Sequence, residues 1–480
     1  MRACRDASLV DLSEEMGCAC FGDARLSKRL ETIVSSVSAK PSAGFPMAFG
    51  DEAASEAFYR FLRNDRVSEQ LILKPHVAAT VERCKQHRAV LVLHDTTQFQ
   101  FGGDAERDGV GLISNIGHGF FGHFALAVDE DSAHPLGVLG LTTISRMHKK
   151  FSRGTRAEYL RRLRHDPTKE SLRWGDLVEK VEMLLEKSVP AIHVMDRESD
   201  SYVLIARMLA ADAHFVIRVT AKRRLFPVGP DEPLANVYEH WEDFPDLVQR
   251  EVPLSARKKS SPYYCAGRHP LRGTRIAKLR FSAKSIRVKR ASNVPAKWPA
   301  WFELNAVRVY EVDAPEGEEP IEWLLLTTEN ISTTRDVARI VDIYRARWTI
   351  EEFFKALKTG CAFERRQLES YATLKNALAI LAPIAWRILV LRSLARKPDA
   401  AHVSDVVNED QIEVLREMSP RRVPAKPSVA TVIAAIAAIG GHLRSNGPPG
   451  WQVLWRGYEE LLTLERAWRA ARRRHRCDQS

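Results

Sequence analysis

Apolar residues fall into short continuous runs in the middle of the chain and recur at helical spacing toward both ends. In RAVLVLHDTTQFQF, residues 88–101, the apolar run continues up to Asp95, the pattern of a strand buried on both faces. AIHVMD, residues 191–196, repeats it and ends on Asp196, with a helical pattern in SYVLIARMLA behind it. HFALAVDED, LGVLGLTTIS and HFVIRVT predict further strands, and SLRWGDLVEKVEMLLEK predicts an amphipathic helix. GHGFFG, residues 117–122, matches G-x-G-x-x-G but leads into a strand, so a flexible hairpin is expected there and not a dinucleotide site.

The ends are helical. DARLSKRLETIVSSVSAK begins on Asp23, a capping residue, and DEAASEAFYRFLRN predicts a second helix. Arg25, Lys28 and Arg29 on the first, and Arg60 and Arg63 on the second, make these helices candidates for a DNA groove. From about Thr373 onward the pattern is helical again. Between these regions, from roughly 230 to 330, KLRF, IRVK and AVRVYEV alternate with period two and predict half-buried strands, and IEWLLLTTEN predicts another strand.

Charge sharpens this picture. The chain has 480 residues and a net charge of +11. The window from Glu251 to Ala300 alone holds thirteen Lys and Arg against one acid, a surplus of twelve, so the rest of the chain sums to −1. So local a surplus suits a polyanion. Lys278 and Arg280 share one strand face, opposite Leu279 and Phe281, and Arg287 and Lys289 repeat this against Ile286 and Val288. The seven scattered cysteines show no zinc spacing. No apolar run is read as long enough to span a bilayer, and the N-terminus has acids where a signal peptide needs an apolar core, so an intracellular protein without a membrane partner is expected.

The chemistry concentrates in YRARWTIEEFFKALKTG, residues 344–360. On one helix, Tyr344, Arg347, Glu351, Lys355 and Lys358 fall on a stripe roughly 80° wide. A solvated face with spaced ion pairs looks the same, so the rest of the chain must decide. Two buried strands each deliver a carboxylate, Asp95 and Asp196, and Glu351 can join them as a third oxygen ligand. Such a set suits Mg²⁺ or Mn²⁺, and two such ions would clamp the attacking and leaving oxygens of an in-line phosphoryl displacement.

Tyr344, Arg347, Glu351 and Lys358, spaced Y-x₂-R-x₃-E-x₆-K, resemble the Tyr-Arg-Glu-Lys signature of bacterial insertion-sequence transposases of the DDE class. RWTIEEFFKALKTG is similar to the Tn-five type of cut-and-paste enzyme, and HDTTQF, MDRESD, FGDARLSKRL, YRFLRN, EWLLLTTEN and WQVLWRGYEEL resemble that family in the same order, from about Phe21 to Leu462. The segment from Arg257 to Arg290 and the tail RRRHRCDQS match no motif of it.

The resemblance implies an α/β fold: an RNase H-like catalytic core with a β-rich insertion, flanked by helical N-terminal and C-terminal domains. The expected division is 1–70 for binding transposon ends, 71–370 for catalysis with the insertion at about 230–330, and 371–480 for dimerisation. It implies Asp95, Asp196 and Glu351 as ligands of two Mg²⁺ ions, with Mn²⁺ as substitute, and Tyr344, Arg347 and Lys358 as grips on phosphates near the cut. Trp323 matches the family residue that stacks on a flipped base, and Arg218 is a further DNA contact. The implied activity is end cleavage through a hairpin and joining to target double-stranded DNA, by a homodimer in the bacterial cytoplasm at the nucleoid. A metal-dependent nuclease of the same fold that does not join strands, and a catalytically silent DNA-binding relative, are the alternatives.

Overall fold

The computed structural model describes residues 12–102, 107–113, 117–146, 172–219, 225–228, 245–254, 256, 272–292, 294–396, 402–447 and 449–477. Residues 257–271 of the basic segment and the last three residues of the tail lie outside these. The fold is mixed α/β and packs as two units: Met1–Val90, Thr96–Asp166 and Thr349–Ser480 form the first, and Leu91–Asp95 with Pro167–Trp348 the second. The helical segments at the two ends, read separately in the sequence, therefore belong to one unit.

In the first unit the N-terminal helices start where the sequence offers caps. Asp23 accepts from the Arg25 N–H at 2.9 Å to open Ala24–Ala39, and Asp51 accepts from the Ala54 N–H at 2.7 Å to open Glu52–Leu62. Phe58 and Phe61 are buried between them, with Phe45 at 4.4 Å from Phe58. Strand β1 spans Val90–Gln100, β2 Gly111–Leu112, β3 His118–Asp129 and β4 Pro135–Ile144, and β3 pairs antiparallel with both β2 and β4. GHGFFG is thus part of a strand and not a flexible hairpin. A Cβ at Gly119 would stand 1.9 Å from the Phe99 carbonyl oxygen, so glycine there permits a close backbone approach.

The helix Tyr371–Arg396 packs on β4 and on the helix Glu69–Cys84. It corrects the expectation about membrane spans: by length and composition it would cross a bilayer, with a mean hydropathy of 1.8, but 89% of that apolar window is buried inside the protein. Its Trp386 donates to the Pro135 carbonyl at 3.0 Å and carries the Arg83 guanidinium over its ring. Helices Val429–Ile439 and Trp451–Cys477 cross at Gly440 and Gly457, where a Cβ on Gly457 would meet the Ile436 carbonyl oxygen at 1.8 Å.

In the second unit, β5 spans Ala191–Met195, β6 His214–Val219, β7 Leu225–Pro227, β8 Val248–Leu254, β9 Arg275–Lys289, β10 Trp301–Val312 and β11 Glu322–Thr327. The strand order is β1-β5-β6-β11-β10-β9-β7, and β8 also pairs with β9. β5 and β6 run parallel, and the strands from β6 through β11, β10 and β9 pair antiparallel, so the sheet is mixed. Trp174, Phe215, Ile217, Leu324 and Leu326 fill its core. KLRF and IRVK lie on the single strand β9, and Leu279, Phe281, Ile286 and Val288 are buried as the alternation predicts. The ladder with β10 is unbroken, so Lys278 and Arg280 lie on the opposite face from Arg275, Arg287 and Lys289, and some of these charges are neutralised by acids outside the basic window. Arg275 pairs with Glu311 and with Glu318, the latter at 2.6 Å, and Arg280 pairs with Asp246 at 2.9 Å.

One buried ionic cluster in the first unit yields a stability test. Glu15 accepts from Arg83 at 2.8 Å and shares a 2.5 Å hydrogen bond with His76. Burial raises its carboxyl pKa, but the His76 ring and the Arg83 guanidinium more than reverse this, from 4.5 to about 2. A carboxyl lowered on folding stabilises the fold above its unfolded pKa and loses that contribution as pH falls through the folded one. Glu15→Gln should therefore cost on the order of 3 kcal/mol near neutral pH. Thermal unfolding of both proteins across an acid series checks this: the gap should narrow as pH falls from 4.5 toward 2. A gap that stays constant through that window contradicts it.

Candidate active site

Six consecutive residues of β1, Val90 to Asp95, are buried, and all five of β5 are buried. Asp95 is therefore set by a strand whose neighbours cannot leave the core. It does not end that strand, as the sequence reading supposed: β1 continues through Thr96, Thr97, Gln98 and Phe99 to Gln100. The reason is visible in the alternation, since Phe99 is fully buried while Gln98 and Gln100 face outward.

Asp95 is 7% exposed, and the Arg347 guanidinium donates to its Oδ2 at 2.7 Å. Asp196 directly follows β5 and caps the turn Arg197–Ser199, its Oδ1 accepting from the Glu198 N–H at 2.9 Å. Its Oδ2 makes no hydrogen bond or ion pair among the described residues. Beneath the two acids, His94 and His193 are fully buried and linked at 2.8 Å, and His193 Nε2 lies 2.8 Å from Glu182 on the helix Arg173–Leu185. A carboxylate only accepts, so His193 donates to Glu182 from Nε2, and its Nδ1 shares a hydrogen bond with His94 Nε2. That the two histidines tie β1 to β5 has no local sequence signal.

The segment 344–360 is not one helix. Thr334–Ala346 opens on a reciprocal cap between Thr333 and Asp336 and ends at Arg347, whose N–H returns to the Tyr344 carbonyl at 3.2 Å. Trp348–Lys355 follows, then a π-helical turn over Ala356–Gly360, closed by the Cys361 N–H on the Ala356 carbonyl. A π turn holds more residues than an α turn, so a stripe laid at a constant 100° does not carry through to Lys358.

Tyr344, Trp323 and Arg218, read separately in the sequence, come together in the second unit. Tyr344 is 6% exposed and meets half-buried Trp323 edge-on, ring centroids 5.4 Å apart. The Arg218 guanidinium lies 5.9 Å from the Trp323 ring and donates to the Glu322 carbonyl at 3.1 Å.

In the first unit, Glu351 and Glu352 have different surroundings. Glu352 receives Arg392 at 3.1 Å and Arg396 at 2.9 Å, so it clasps its helix to Tyr371–Arg396. Glu351 instead contributes to the field at Lys358. Burial lowers the Lys358 pKa, opposed by the carboxylates of Glu364 and Glu351, and the Lys358 ammonium stands 3.9 Å from Glu364 and over the Phe99 ring. Glu364, which the sequence reading missed, also accepts from the Gln100 N–H at 2.9 Å.

The basic residues of the N-terminal helices are on the surface, and three are paired: Arg25 with Asp23, Lys28 with Glu31 and Arg63 with Glu369. Arg29 and Arg60 are exposed.

Residues 12–67 match the family model described as transposase DNA-binding, and residues 168–386 match the one described as transposase DDE domain. Both matches are to transposase domain models. The DDE domain takes in Asp196, Arg218, Trp323, Tyr344, Arg347, Glu351 and Lys358, while Asp95 precedes the matched span. The DNA-binding domain takes in Arg25, Lys28, Arg29, Arg60 and Arg63. The chain is also similar to a solved cryo-EM structure, the piggyBac transposase synaptic complex with hairpin DNA. That likeness has 11% identity over 84% of this chain and 72% of that chain, at a TM-score of 0.32, and is too distant to carry an argument.

DDE transposase domains typically use divalent metal ions. Among the described residues no group of three or more His, Cys, Asp or Glu is gathered closely enough to hold one. The donors themselves fit a hard cation. Asp95 is a buried carboxylate already facing a positive charge, and Asp196 has an oxygen to spare. Removing one partner of a buried ion pair costs about 3–5 kcal/mol. Arg347→Ala should therefore lower stability by that order, and added Mn²⁺ should recover part of the loss by replacing the guanidinium at Asp95. Calorimetry with and without Mn²⁺ checks this; an equal loss in both conditions would show that Asp95 takes up no cation.

Proposed function

We propose that this protein is a cut-and-paste DNA transposase of the bacterial insertion-sequence kind. It works as a homodimer on transposon ends, in the cytoplasm at the nucleoid, through Asp95, Asp196 and Glu351. The observation that carries the reading is Asp95 on β1 and Asp196 just after neighbouring β5, with Arg347 held against Asp95, in a chain that matches a DDE transposase domain. The three carboxylates would hold Mg²⁺, or Mn²⁺ in its place, two ions to a site. When bound, these would activate a water or a 3′-hydroxyl and neutralise charge on the attacking and leaving oxygens.

The chain's own groups orient the DNA. Arg347 has a fork of donors and can hold Asp95 with one arm while meeting a phosphate oxygen with another. Lys358 is a partly desolvated cation, and charge in such a setting acts strongly on a nearby phosphate. The transposase DNA-binding domain grips the end sequence through its exposed arginines and lysines, and the C-terminal helices pair the subunits.

Cleavage distinguishes the acids. Glu351→Gln, Asp95→Asn and Asp196→Asn should each abolish cleavage of an end fragment while binding persists. Glu352→Ala loses its two arginine partners and should cost about 1–2 kcal/mol of stability, yet the folded fraction should still cut. If Glu352→Ala and Glu351→Gln proteins of equal fold cut equally poorly, the assignment of Glu351 fails.

The Trp323 cluster acts on the shape of the end. A hairpin requires a sharply bent duplex end, and flipping a base relieves the bend at an unstacking cost of a few kcal/mol. A ring that receives the base offsets about 1–3 kcal/mol of that. Trp323→Ala should slow hairpin formation roughly tenfold to a hundredfold and leave the first nick at its normal rate. Separate nick and hairpin rates on one labelled fragment decide it; equal slowing of both steps makes Trp323 a packing residue.

A further inference from the structure

We propose that the buried chain of Glu182, His193 and His94 is a positioning device. It sets the stagger of β1 against β5, and through that stagger the spacing of Asp95 and Asp196 that a divalent ion requires. The proposal deepens the reading of those two acids as metal ligands and rests on it. All of its groups lie in the second unit.

The acids and the rings hang from opposite faces of the same two strands. β1 and β5 are hydrogen-bonded neighbours in the sheet. Successive residues of a strand alternate sides, so Asp95 faces away from His94. Asp196 stands one residue past β5 in extended backbone, at φ −91° and ψ −170°. The same alternation, counted from His193, puts it on the face of Asp95. Each face has its own helix. On the side of the acids, Arg347 at the end of Thr334–Ala346 reaches Asp95, and that helix also packs on β5 and β6. On the side of the rings, Trp174 and Val178 of the helix Arg173–Leu185 share a core cluster with Met195, and Glu182 of the same helix reaches His193.

Apolar contacts are non-directional, and β5 is only five residues long. Two hydrogen bonds in series are directional. His94 Nε2 to His193 Nδ1 at 2.8 Å, and His193 Nε2 to Glu182 Oε1 at 2.8 Å, hold the ring of β5 between the ring of β1 and a helix. Both rings are fully buried, so a partner lost there is not replaced by water. His94 directly precedes Asp95, so a displaced ring carries the carboxylate with it through a single peptide. A Mg²⁺ ion tolerates little of this, since it demands near-ideal octahedral geometry with oxygens at about 2.0–2.1 Å. Support one layer behind the ligands is worth about tenfold to a hundredfold in metal affinity. The three residues ligate nothing; they act through the strands.

The test follows Mn²⁺ binding through the rise in unfolding temperature of the full chain over a metal series, which reads the site without cleavage. His193→Leu removes the middle of the chain and should raise the half-saturating Mn²⁺ concentration about tenfold. Glu182→Leu removes only the outer link and should raise it about threefold, whereas Glu182→Gln keeps an acceptor for the His193 Nε2–H and should stay near the wild-type value. Cleavage of an end fragment by the two leucine variants should fall at limiting metal and return at saturating metal. A packing role alone would lower the metal-free unfolding temperature and leave the half-saturating concentration unmoved, and that result overturns the proposal. If His193→Leu does not fold, the two Glu182 variants decide: equal half-saturating concentrations in them overturn it. A wild-type chain that gains no stability from Mn²⁺ overturns the metal reading itself. A wild-type gain that every variant matches overturns the positioning role alone.

Discussion

The candidate site turns on a buried carboxylate and the guanidinium beside it. Asp95 ends a stretch in which every residue of β1 from Val90 onward is buried, and an isolated charge there would be expelled or neutralised. Arg347 answers it at 2.7 Å. Arg347 sits at the junction before Trp348, and its side chain points at Asp95 where a regular helix would keep it in the ladder of surface charges. Breaking the pair costs more than a surface salt bridge is worth, because a buried charge would be left behind.

The same logic of compensated charge sorts the other acids and bases. Glu352 faces two arginines and is structural, while its neighbour Glu351 faces the field of Lys358. On β9, Arg275 and Arg280 are answered by acids distant in sequence, and Arg287 and Lys289 lie over the Trp301 ring. Beneath Asp95 and Asp196 the interior polar groups form a hydrogen-bonded chain, Glu182 to His193 to His94. Such a chain aligns two neighbouring strands in a way that apolar packing alone does not.

Trp323, Tyr344 and Arg218 show how a sheet and a helix combine into one surface. Each has an ordinary explanation when considered singly: a strand tryptophan, a helix tyrosine, a strand arginine. Their meeting follows from the pairing of β11 with β6 and from the helix Thr334–Ala346. There a half-buried ring is backed by a second ring and flanked by a cation.

Much of the fold was legible in the sequence because burial writes itself into local pattern. Continuous apolar runs marked β1 and β5, alternation marked β9 and β10, and Asp23 marked a helix start. Asp95 and Asp196 stood out because each follows an apolar run, and Glu351 because it falls on the charged stripe of residues 344–360. Tertiary structure alone decided the rest, since those features depend on partners distant in sequence. It extended β1 past Asp95, turned GHGFFG into a strand, broke the helix at Arg347 and inserted a π turn before Cys361. It buried Tyr371–Arg396, whose composition by itself would suit a bilayer, and matched Arg275 and Arg280 to acids outside their own window. A sequence fixes which residues seek burial or a counter-charge, but which counter-charge each one finds is set by strand order and helix packing.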